Sequence, residues 1–352
     1  MTPTSTDVHR PARSTREPDA PRVSVVMPFR NAAPFIAEAI ESLTAQTFSH
    51  LEVIAIDDAS DDESSRIVES AAQRDPRVRL VRGGPRGFVP SLNRGIELAR
   101  GEFVARMDAD DAALPDRIAR QVAFLDAHPD VGVLGGQILA LLDGETRVPP
   151  FWIDNPLEHR AIVQMLATRN AVYHPTVLLR RELLVAAGGY RPAFTVVQDY
   201  DLWLRLAERT RFANLPDRVL RYRFHGGQAT ERNVELAYLC TWAAQHAARE
   251  RAAGRPDPIR GETVIDREQV AKWGLDAPTI DAEIAWVRAS HRARERLLRG
   301  ERLRALGAFG GLLLRRPVPF MRRAILALRG RVSRGRAQPG AEDIPTAWPA
   351  SR

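Results

Sequence analysis

The stretch that decides the fold reads Gly101-Glu102-Phe103-Val104-Ala105-Arg106-Met107-Asp108-Ala109-Asp110-Asp111. Residues 103–107 are mostly apolar, β-branched or aromatic, and they follow a glycine, so we expect a short buried strand there. Three carboxylates follow this strand within four residues. Because residues i and i+2 of an extended chain point to the same side, Asp108 and Asp110 are expected to lie side by side.

Two carboxylates held that close repel each other unless a positive charge lies between them. A hard divalent cation carrying a diphosphate fits, because such an ion takes one or two carboxylates and completes its shell with phosphate oxygens. Mn²⁺ or Mg²⁺ is therefore the expected cofactor. An acidic turn that caps the helix expected near Pro115 is the alternative that this stretch alone leaves open.

The composition is that of an ordinary soluble globular protein. The chain has 352 residues, 44% of them hydrophobic and 27% charged, which is enough for one large or two modest domains. The single cysteine, Cys240, excludes an intramolecular disulfide and fits a reducing compartment. We therefore expect a cytoplasmic protein, either free or peripheral on the inner face of the cell membrane.

The positive charge is concentrated near the C-terminus. Residues 283–335 contain fourteen arginines, three glutamates and neither lysine nor aspartate, so this segment has a net charge of +11. Because the whole chain has a net charge of +7, the remaining residues sum to −4. Residues 1–21 and 336–352 are polar and rich in proline or charge, and we expect both to be disordered tails. The longest apolar run in the C-terminal region, residues 306–314, is far shorter than the roughly twenty residues of a membrane-spanning helix.

Apolar runs and helical segments alternate in the first hundred residues. Strands are expected at 23–27, 51–56 and 78–81, with Pro28 ending the first strand and Pro34 opening the first helix. This alternation predicts an α/β fold with a doubly wound, mostly parallel sheet. In such sheets ligands bind beyond the carboxyl ends of the strands, and polar motifs follow strands at 28–31, 57–62 and 108–111.

Two common phosphate-binding sites are excluded. The chain contains neither a Gly-x-Gly-x-x-Gly fingerprint nor a Gly-Lys-Ser/Thr loop, so neither a Rossmann dinucleotide site nor a P-loop is supported. A diphosphate bound to this chain would be neutralised by a metal ion instead of by glycine amides.

In combination, these motifs resemble glycosyltransferase family 2, a family of inverting nucleotide-sugar enzymes with the GT-A fold. The motifs that carry the resemblance are Val23–Pro28 with Asn31, Asp57–Asp61, Arg86-Gly87 with Leu92–Gly95, Ala105–Asp111, Pro115–Arg117 with Gln121, His174–Thr176, Gly188–Arg191, Gln198–Arg205 and Tyr222–His225. The resemblance implies a GT-A glycosyltransferase domain over residues 22–228, followed by an appended basic helical region over 229–335. The family often has Asn where this chain has Pro85 and usually has Glu where it has Gln198.

The resemblance also implies site residues. Asp199, at the start of a helix, would be the general base, and Asp201 a capping or structural carboxylate. The metal ligands would be Asp108, Asp110 and His225, with a surface histidine as the alternative for His225. The implied donor-binding residues are Pro28, Arg30, Asp57, Asp58, Arg86 and Asp108.

Two further basic or aromatic residues have alternative roles at this stage. Arg223 would either pair with phosphate oxygens or form a structural salt bridge. His174 would either lie near the acceptor or pack within a turn. For Asp61 and Asp62, capping of the next helix is the preferred interpretation.

The expected function is metal-dependent, inverting transfer of a sugar from a nucleoside-diphosphate sugar to a glycan or lipid-linked acceptor, in bacterial cell-surface polysaccharide synthesis. One alternative is a nucleotidyltransferase, which would normally carry a glycine-rich, basic loop after the first strand. Another is a nucleotide-sugar-binding protein without catalysis, suggested by Gln198. Nucleic-acid binding is not expected, because no recognised module is present.

The C-terminal region contains an apolar stripe flanked by arginines. The stripe consists of Phe320, Met321, Ala324, Ile325 and Leu328. A helix with this pattern either lies on an anionic membrane surface or packs on the catalytic domain with a solvated basic face, and the sequence leaves both open.

Overall fold

The structure is a computed structural model, and it describes residues 20–83, 86–142, 145–147, 154–224, 233–298 and Gly307. The strands are β1 Val23–Phe29, β2 Leu51–Asp57, β3 Val78–Val81, β4 Phe103–Arg106, β5 Ala112–Ala113, β6 Val131–Leu142, β7 Glu145–Arg147, β8 Leu178–Arg180 and β9 Arg211–Arg223. The α-helices are α1 Ile36–Thr44, α2 Ser64–Arg74, α3 Phe88–Leu98, α4 Arg117–Ala127, α5 His159–Leu166, α6 Arg181–Ala186, α7 Gln198–Leu206, α8 Val234–Ala252, α9 Arg267–Lys272 and α10 Ala277–Leu298. A 3₁₀ helix spans His174–Thr176.

The strands form one mixed sheet in the order β3-β2-β1-β4-β8-β6-β9-β5, with β7 paired to β6. Strands β1 to β4 are parallel to one another, as predicted. Strand β8 is antiparallel to both β4 and β6, whereas β6 and β9 are parallel. The α/β prediction is therefore confirmed, with a mixed second half that the sequence pattern did not reveal.

Hydrophobic clusters cover both faces of the sheet. Val26 belongs to one cluster, whereas Val25 and Met27 belong to the other, as the two-residue period of a strand requires. Because both faces are covered, β1 and β2 can be almost continuously apolar without exposing hydrophobic surface.

The predicted end of β1 at Pro28 is wrong, because the strand continues through Pro28 to Phe29. β1 pairs with β4 only over Val23–Val26, and the carbonyl of Val26 points toward β4, where it accepts a hydrogen bond from Met107 N. The nitrogen of Pro28 faces the same side, beyond the last paired residue of β4. Its missing N–H therefore leaves no ladder bond unmade. The first helix begins at Ile36, two residues after Pro34.

Gly101 sets the start of β4 by allowing a close backbone approach. A Cβ at this position would lie 2.6 Å from Ser24 N and 2.8 Å from Phe103 O. The Gly101 amide donates to Ser24 Oγ at 2.8 Å, and Ser24 in turn contacts the buried Glu52. This packing fixes where β4 begins and its register against β1, and so the position of the acidic motif that follows the strand.

The helical region after the sheet is present. α8 packs on α7, and its buried residues include Ala243, Ala244, Ala247 and Ala248. Its bounds lie close to the helix that the sequence pattern predicts over residues 231–253. The sequence pattern also predicts a helix over residues 280–314, and α10 begins close to that start, at Ala277. Most of residues 299–314, the stripe at 320–328 and both tails except residues 20–21 lie outside the described residues. Among the helices that the structure describes, none is both long and apolar enough to cross a membrane.

Candidate active site

The polar motifs meet at the carboxyl ends of the parallel strands. The Asp58 amide, just after β2, donates to the carbonyl of Phe29 at the end of β1 at 2.9 Å, and the Asp61 amide donates to Asn31 Oδ1 at 3.0 Å. Asn31 and Ala59 adopt left-handed backbone conformations with φ of 52° and 57°. Non-glycine residues in this region are uncommon and are enriched at functional sites.

Asp57 and Asp58, two of the three aspartates predicted to contact the donor, also hold these loops in place. Asp58 Oδ1 accepts a hydrogen bond from Gly87 N at 2.6 Å, which fixes the residue following Arg86 against the end of β2. Asp57 accepts from Ser60 N at 2.8 Å and from the hydroxyl of Ser65. Arg30 and Arg86 are exposed, and Pro28 is buried within β1.

The predicted N-cap role of Asp62 is displaced by one residue: Glu63 is the N-cap of α2 and makes no side-chain capping bond, while Asp62 binds the first helical residue. The Asp62 carboxylate accepts from Ser64 N at 3.0 Å at the start of α2, and from Ala33 N at 3.0 Å.

Three carboxylates cluster directly after β4. The side-chain oxygens of Asp108, Asp110 and Asp111 lie within 4.8 Å of one another. The guanidinium of Arg106, which is almost completely buried, binds both carboxylate oxygens of Asp108. Burial raises the pKa of Asp108 to about 6; Arg106 opposes this shift, and the charges of Asp110 and Asp199 add to it.

Asp111 is a functional candidate that the sequence reasoning did not select. Its side chain is buried, Oδ1 accepts from Arg223 N at 2.9 Å, and Oδ2 has no hydrogen-bond partner among the described residues. Burial raises its pKa well above the ordinary value, and the charges of Asp108 and Asp110 add to the shift. A buried carboxylate oxygen without a donor is costly, and a divalent cation held by this cluster would satisfy it.

Arg223 supports the acidic cluster from β9. Its amide binds Asp111, its Nε donates to the carbonyl of Asp110 at 2.8 Å, and its guanidinium pairs with Glu38 and lies 4.9 Å from the ring centroid of Phe35. Of the two roles left open by the sequence, the structural salt bridge is the one observed. His225 lies outside the described residues.

Asp199 lies in the first turn of α7. The preceding Val197 has φ of 62°, an unusual conformation for a β-branched residue. Asp199 Oδ2 accepts a hydrogen bond from Asn170 Nδ2 at 2.7 Å. Burial raises the pKa of Asp199, while the backbone N–H of Tyr200, the Asn170 amide and the charge of Arg106 oppose the shift.

Asp199 and the acidic cluster act on each other electrostatically. The charge of Asp199 contributes to the raised pKa of Asp108, and the charge of Arg106 acts on both carboxylates. A partly buried carboxylate therefore stands beside a group of carboxylates suited to a cation. This arrangement can bind an anionic ligand through a metal ion and accept a proton from a neighbouring hydroxyl.

His174 is a packed turn residue. Its Nε2 lies 2.7 Å from Tyr190 Oη, and its ring makes edge contacts with Tyr190 and with Trp203. Burial lowers its pKa well below the ordinary value, so the imidazole is neutral. Of its two open roles, packing is the one that the structure supports.

The comparisons with known proteins agree with this geometry. The family model described as Glycosyl transferase family 2 matches residues 24–185. The chain is 30% identical to the amylovoran biosynthesis glycosyltransferase AmsE of Erwinia amylovora over 53% of this chain and 70% of that protein. It is 27% identical to the O-antigen biosynthesis glycosyltransferase WbnJ of Escherichia coli, over 65% of this chain and 88% of that protein.

A solved structure shares the fold. The mannosyltransferase PcManGT from Pyrobaculum calidifontis, in complex with GDP-Man and Mn²⁺, superposes with a TM-score of 0.53 at 23% identity. The match covers 89% of this chain and 87% of that one, and at this identity it shows the fold alone.

Proposed function

Because this chain belongs to glycosyltransferase family 2 and is a glycosyltransferase, we propose that it transfers a sugar with inversion from a nucleoside-diphosphate sugar to a hydroxyl group of a glycan or lipid-linked acceptor. The predicted family and the GT-A fold are confirmed. The observation that carries the proposed reaction is the group of three carboxylates, Asp108, Asp110 and Asp111, within 4.8 Å of one another, with Asp199 near enough for its charge to act on Asp108.

The nucleoside diphosphate is proposed to bind at the strand ends. The fold neighbour in complex with GDP-Man supports a nucleotide-sugar donor. In this chain the loops after β1 and β2 present Arg30, Asp57 and Asp58, and the loop held by Asp58 presents Arg86. Carboxylates can accept N–H or O–H groups of the base and ribose, and the exposed arginines can contact phosphate oxygens.

The acidic cluster is proposed to hold Mn²⁺ or Mg²⁺. Asp110 and Asp111 would be the ligands, with Asp108 beside them and His225 as a further candidate. The unsatisfied Oδ2 of Asp111 is the observation that fits a cation, and the Mn²⁺ complex of the fold neighbour supports it. When bound, the ion acts as a Lewis acid that stabilises the charge developing on the leaving diphosphate.

Asp199 is proposed to be the general base. It takes the proton of the acceptor hydroxyl while the oxygen attacks the anomeric carbon and the bond to the diphosphate breaks, which inverts the configuration at that carbon. A single displacement of this kind needs the base and the leaving group on opposite sides of the sugar. Asp201 is excluded as the base, because its carboxylate is buried between Arg191 and Arg205.

The biological setting is proposed from the relatives. AmsE and WbnJ are named for amylovoran and O-antigen biosynthesis, so we propose a role in bacterial cell-surface polysaccharide synthesis. The reaction would take place in the cytoplasm, where the basic C-terminal region would make peripheral contact with anionic lipid.

The test is a donor screen with the purified chain. UDP-glucose, UDP-N-acetylglucosamine and GDP-mannose are incubated with Mn²⁺, and release of the nucleoside diphosphate is measured. A glycosyltransferase slowly transfers sugar to water and so releases the diphosphate. A nucleotidyltransferase would instead release pyrophosphate from a nucleoside triphosphate and a sugar phosphate, and a pure binding protein would release neither product.

A further inference from the structure

Asn170 lies in the segment between α5 and the 3₁₀ helix, and its carboxamide is bound at both ends. Nδ2 donates to Asp199 Oδ2 at 2.7 Å, and Oδ1 accepts from Val172 N at 3.1 Å. Because the backbone N–H of Val172 requires an acceptor, it fixes which side of the amide faces Asp199. The donor to Asp199 is thus held in place by a neighbour only two residues away.

We infer that Asn170 is a positioning residue for the general base Asp199, an assignment that rests on the proposed function. A base must stay within about 2.6–3.2 Å of the proton that it removes. A carboxylate offers about four lone-pair positions, so one amide donor can fix its orientation and leave others for the acceptor hydroxyl. Misplacement by about 1 Å can cost on the order of 10²-fold in rate.

The same hydrogen bond favours the charged form of Asp199. Burial raises the pKa of this carboxyl group, which opposes its use as a base, and a donor to the carboxylate counteracts that effect. The other charged or titratable groups whose charges act across this space are Arg106, Asp108 and Tyr190. Asn170 stabilises the carboxylate without adding a charge to the site.

Other contacts anchor the segment around Asn170. Gln245 of α8 donates to the carbonyl of Thr168 at 3.2 Å and to the hydroxyl of Tyr200 at 3.0 Å, and Asn214 donates to the carbonyl of Ala171 at 3.0 Å. The bond from Asn170 to Asp199 is therefore not needed to tie this segment to α7. Loss of the Asn170 amide should act on Asp199 more than on the fold.

The experiment compares Asn170→Ala with Gln245→Ala, which removes a side-chain amide that ties the same segment to α7 without contacting Asp199. Each protein is labelled with ¹³Cγ-aspartate, and the Asp199 resonance is assigned by its loss in Asp199→Asn. In Asn170→Ala, we expect the Asp199 titration and the acid limb of the pH–rate profile to move to higher pH. With the best donor of the three tested, hydrolysis should fall about tenfold at saturation with KM nearly unchanged.

Gln245→Ala should lower the unfolding temperature without moving either titration. Asn170→Asp, which keeps the size of the side chain, should move the limb in the same direction, because a like charge beside Asp199 disfavours its ionised form. If Asn170→Ala does not fold, the Asp199 titration and the pH–rate profile of Asn170→Asp test the inference instead. The inference is overturned if the Asn170 variants titrate like the wild type, or if Gln245→Ala moves the titration as far as they do.

Failure of the proposed function would look different. If Asp199→Asn hydrolyses the donor at the wild-type rate, Asp199 is not the base, and the role of Asn170 falls with it. If Asp199→Asn is inactive while Asn170→Ala keeps the wild-type profile, the base stands and only the role of Asn170 is wrong.

Discussion

Asp199 and Asp201 lie two residues apart in the first turn of α7, yet their carboxylates have different surroundings. Asp199 accepts a hydrogen bond from Asn170 and is coupled to the acidic cluster. Asp201 is buried, pairs with Arg191 and accepts from Arg205 Nε at 3.0 Å. Residues i and i+2 of a helix do not share a face, so one turn can serve both the site and the core.

Replacing Asp199 with asparagine should abolish turnover and spare donor binding. The amide keeps the size of the carboxylate but cannot accept the acceptor proton, so transfer should fall by about 10²-fold or more. Nucleotide-sugar affinity, measured by calorimetry, should be nearly that of the wild type. In the wild type, activity should rise with pH as Asp199 loses its proton, and this dependence should be absent from the residual activity of the variant. Transfer at close to the wild-type rate would place the base elsewhere.

Replacing Asp201 with asparagine should destabilise the fold. Two largely buried guanidinium groups would lose their shared carboxylate, although Arg191 would still pair with Asp257 at 2.9 Å. Breaking a buried ion pair typically costs about 3–5 kcal/mol, and we expect about 3 kcal/mol here from urea unfolding. The exposed pair of Arg120 and Asp217 provides the control, since Asp217→Asn should change stability little. Equal stability of the two variants would show that the Asp201 cluster is not a structural anchor.

The sequence predicted the first half of the sheet because its strands are continuous apolar runs separated by helices. Strands β5 and β8 have two and three residues, too short for a period to be recognised, so the mixed second half of the sheet could not be inferred. A proline normally ends a strand because it cannot donate a ladder hydrogen bond. That Pro28 needs no donor, because β4 has already ended beside it, is visible only in the folded sheet.

The candidate site was predictable to the extent that its residues form local motifs. Asp108, Asp110 and Asp199 belong to recognisable sequence motifs, Ala105–Asp111 and Gln198–Arg205. In contrast, the contact between Asp111 and Arg223 joins residues 112 positions apart, and that between Asn170 and Asp199 joins residues 29 apart. The signal available for Asp111 was a third carboxylate within four residues, and nothing in the local sequence marked Asn170.

Removal of the metal should stop the reaction. We expect EDTA to inhibit donor hydrolysis and Mn²⁺ or Mg²⁺ to restore it. Asp110→Asn should weaken both Mn²⁺ and donor binding, because a hard cation loses an anionic ligand. Asp116→Asn, which changes a half-buried aspartate that pairs with Arg120 just beyond the cluster, is the matched control for Mn²⁺ calorimetry. Full activity in the chelator would contradict the metal-dependent mechanism.

The basic C-terminal region should determine any membrane contact. If residues 312–329 form an interfacial helix, the wild type should bind phosphatidylserine-containing vesicles at low salt and release them as salt rises. Truncation after Gly311 should abolish this binding, whereas neutral phosphatidylcholine vesicles should bind neither protein. Equal vesicle binding by the truncated chain would favour packing of this region on the catalytic domain.

Asp111→Asn should have opposite effects on the metal-free and metal-bound protein. The raised pKa of Asp111 means that its ionised form opposes folding increasingly as pH rises above the ordinary aspartate pKa. Asparagine keeps the Oδ1 acceptor for Arg223 N and removes the buried charge, so the metal-free variant should unfold at a higher temperature than the wild type at neutral pH. The same change should weaken Mn²⁺ binding by about tenfold or more, because the cation loses an anionic ligand. Thermal unfolding with EDTA and with Mn²⁺ measures both effects in one protein. A variant that is less stable without metal and binds Mn²⁺ like the wild type would make Asp111 a purely structural acceptor.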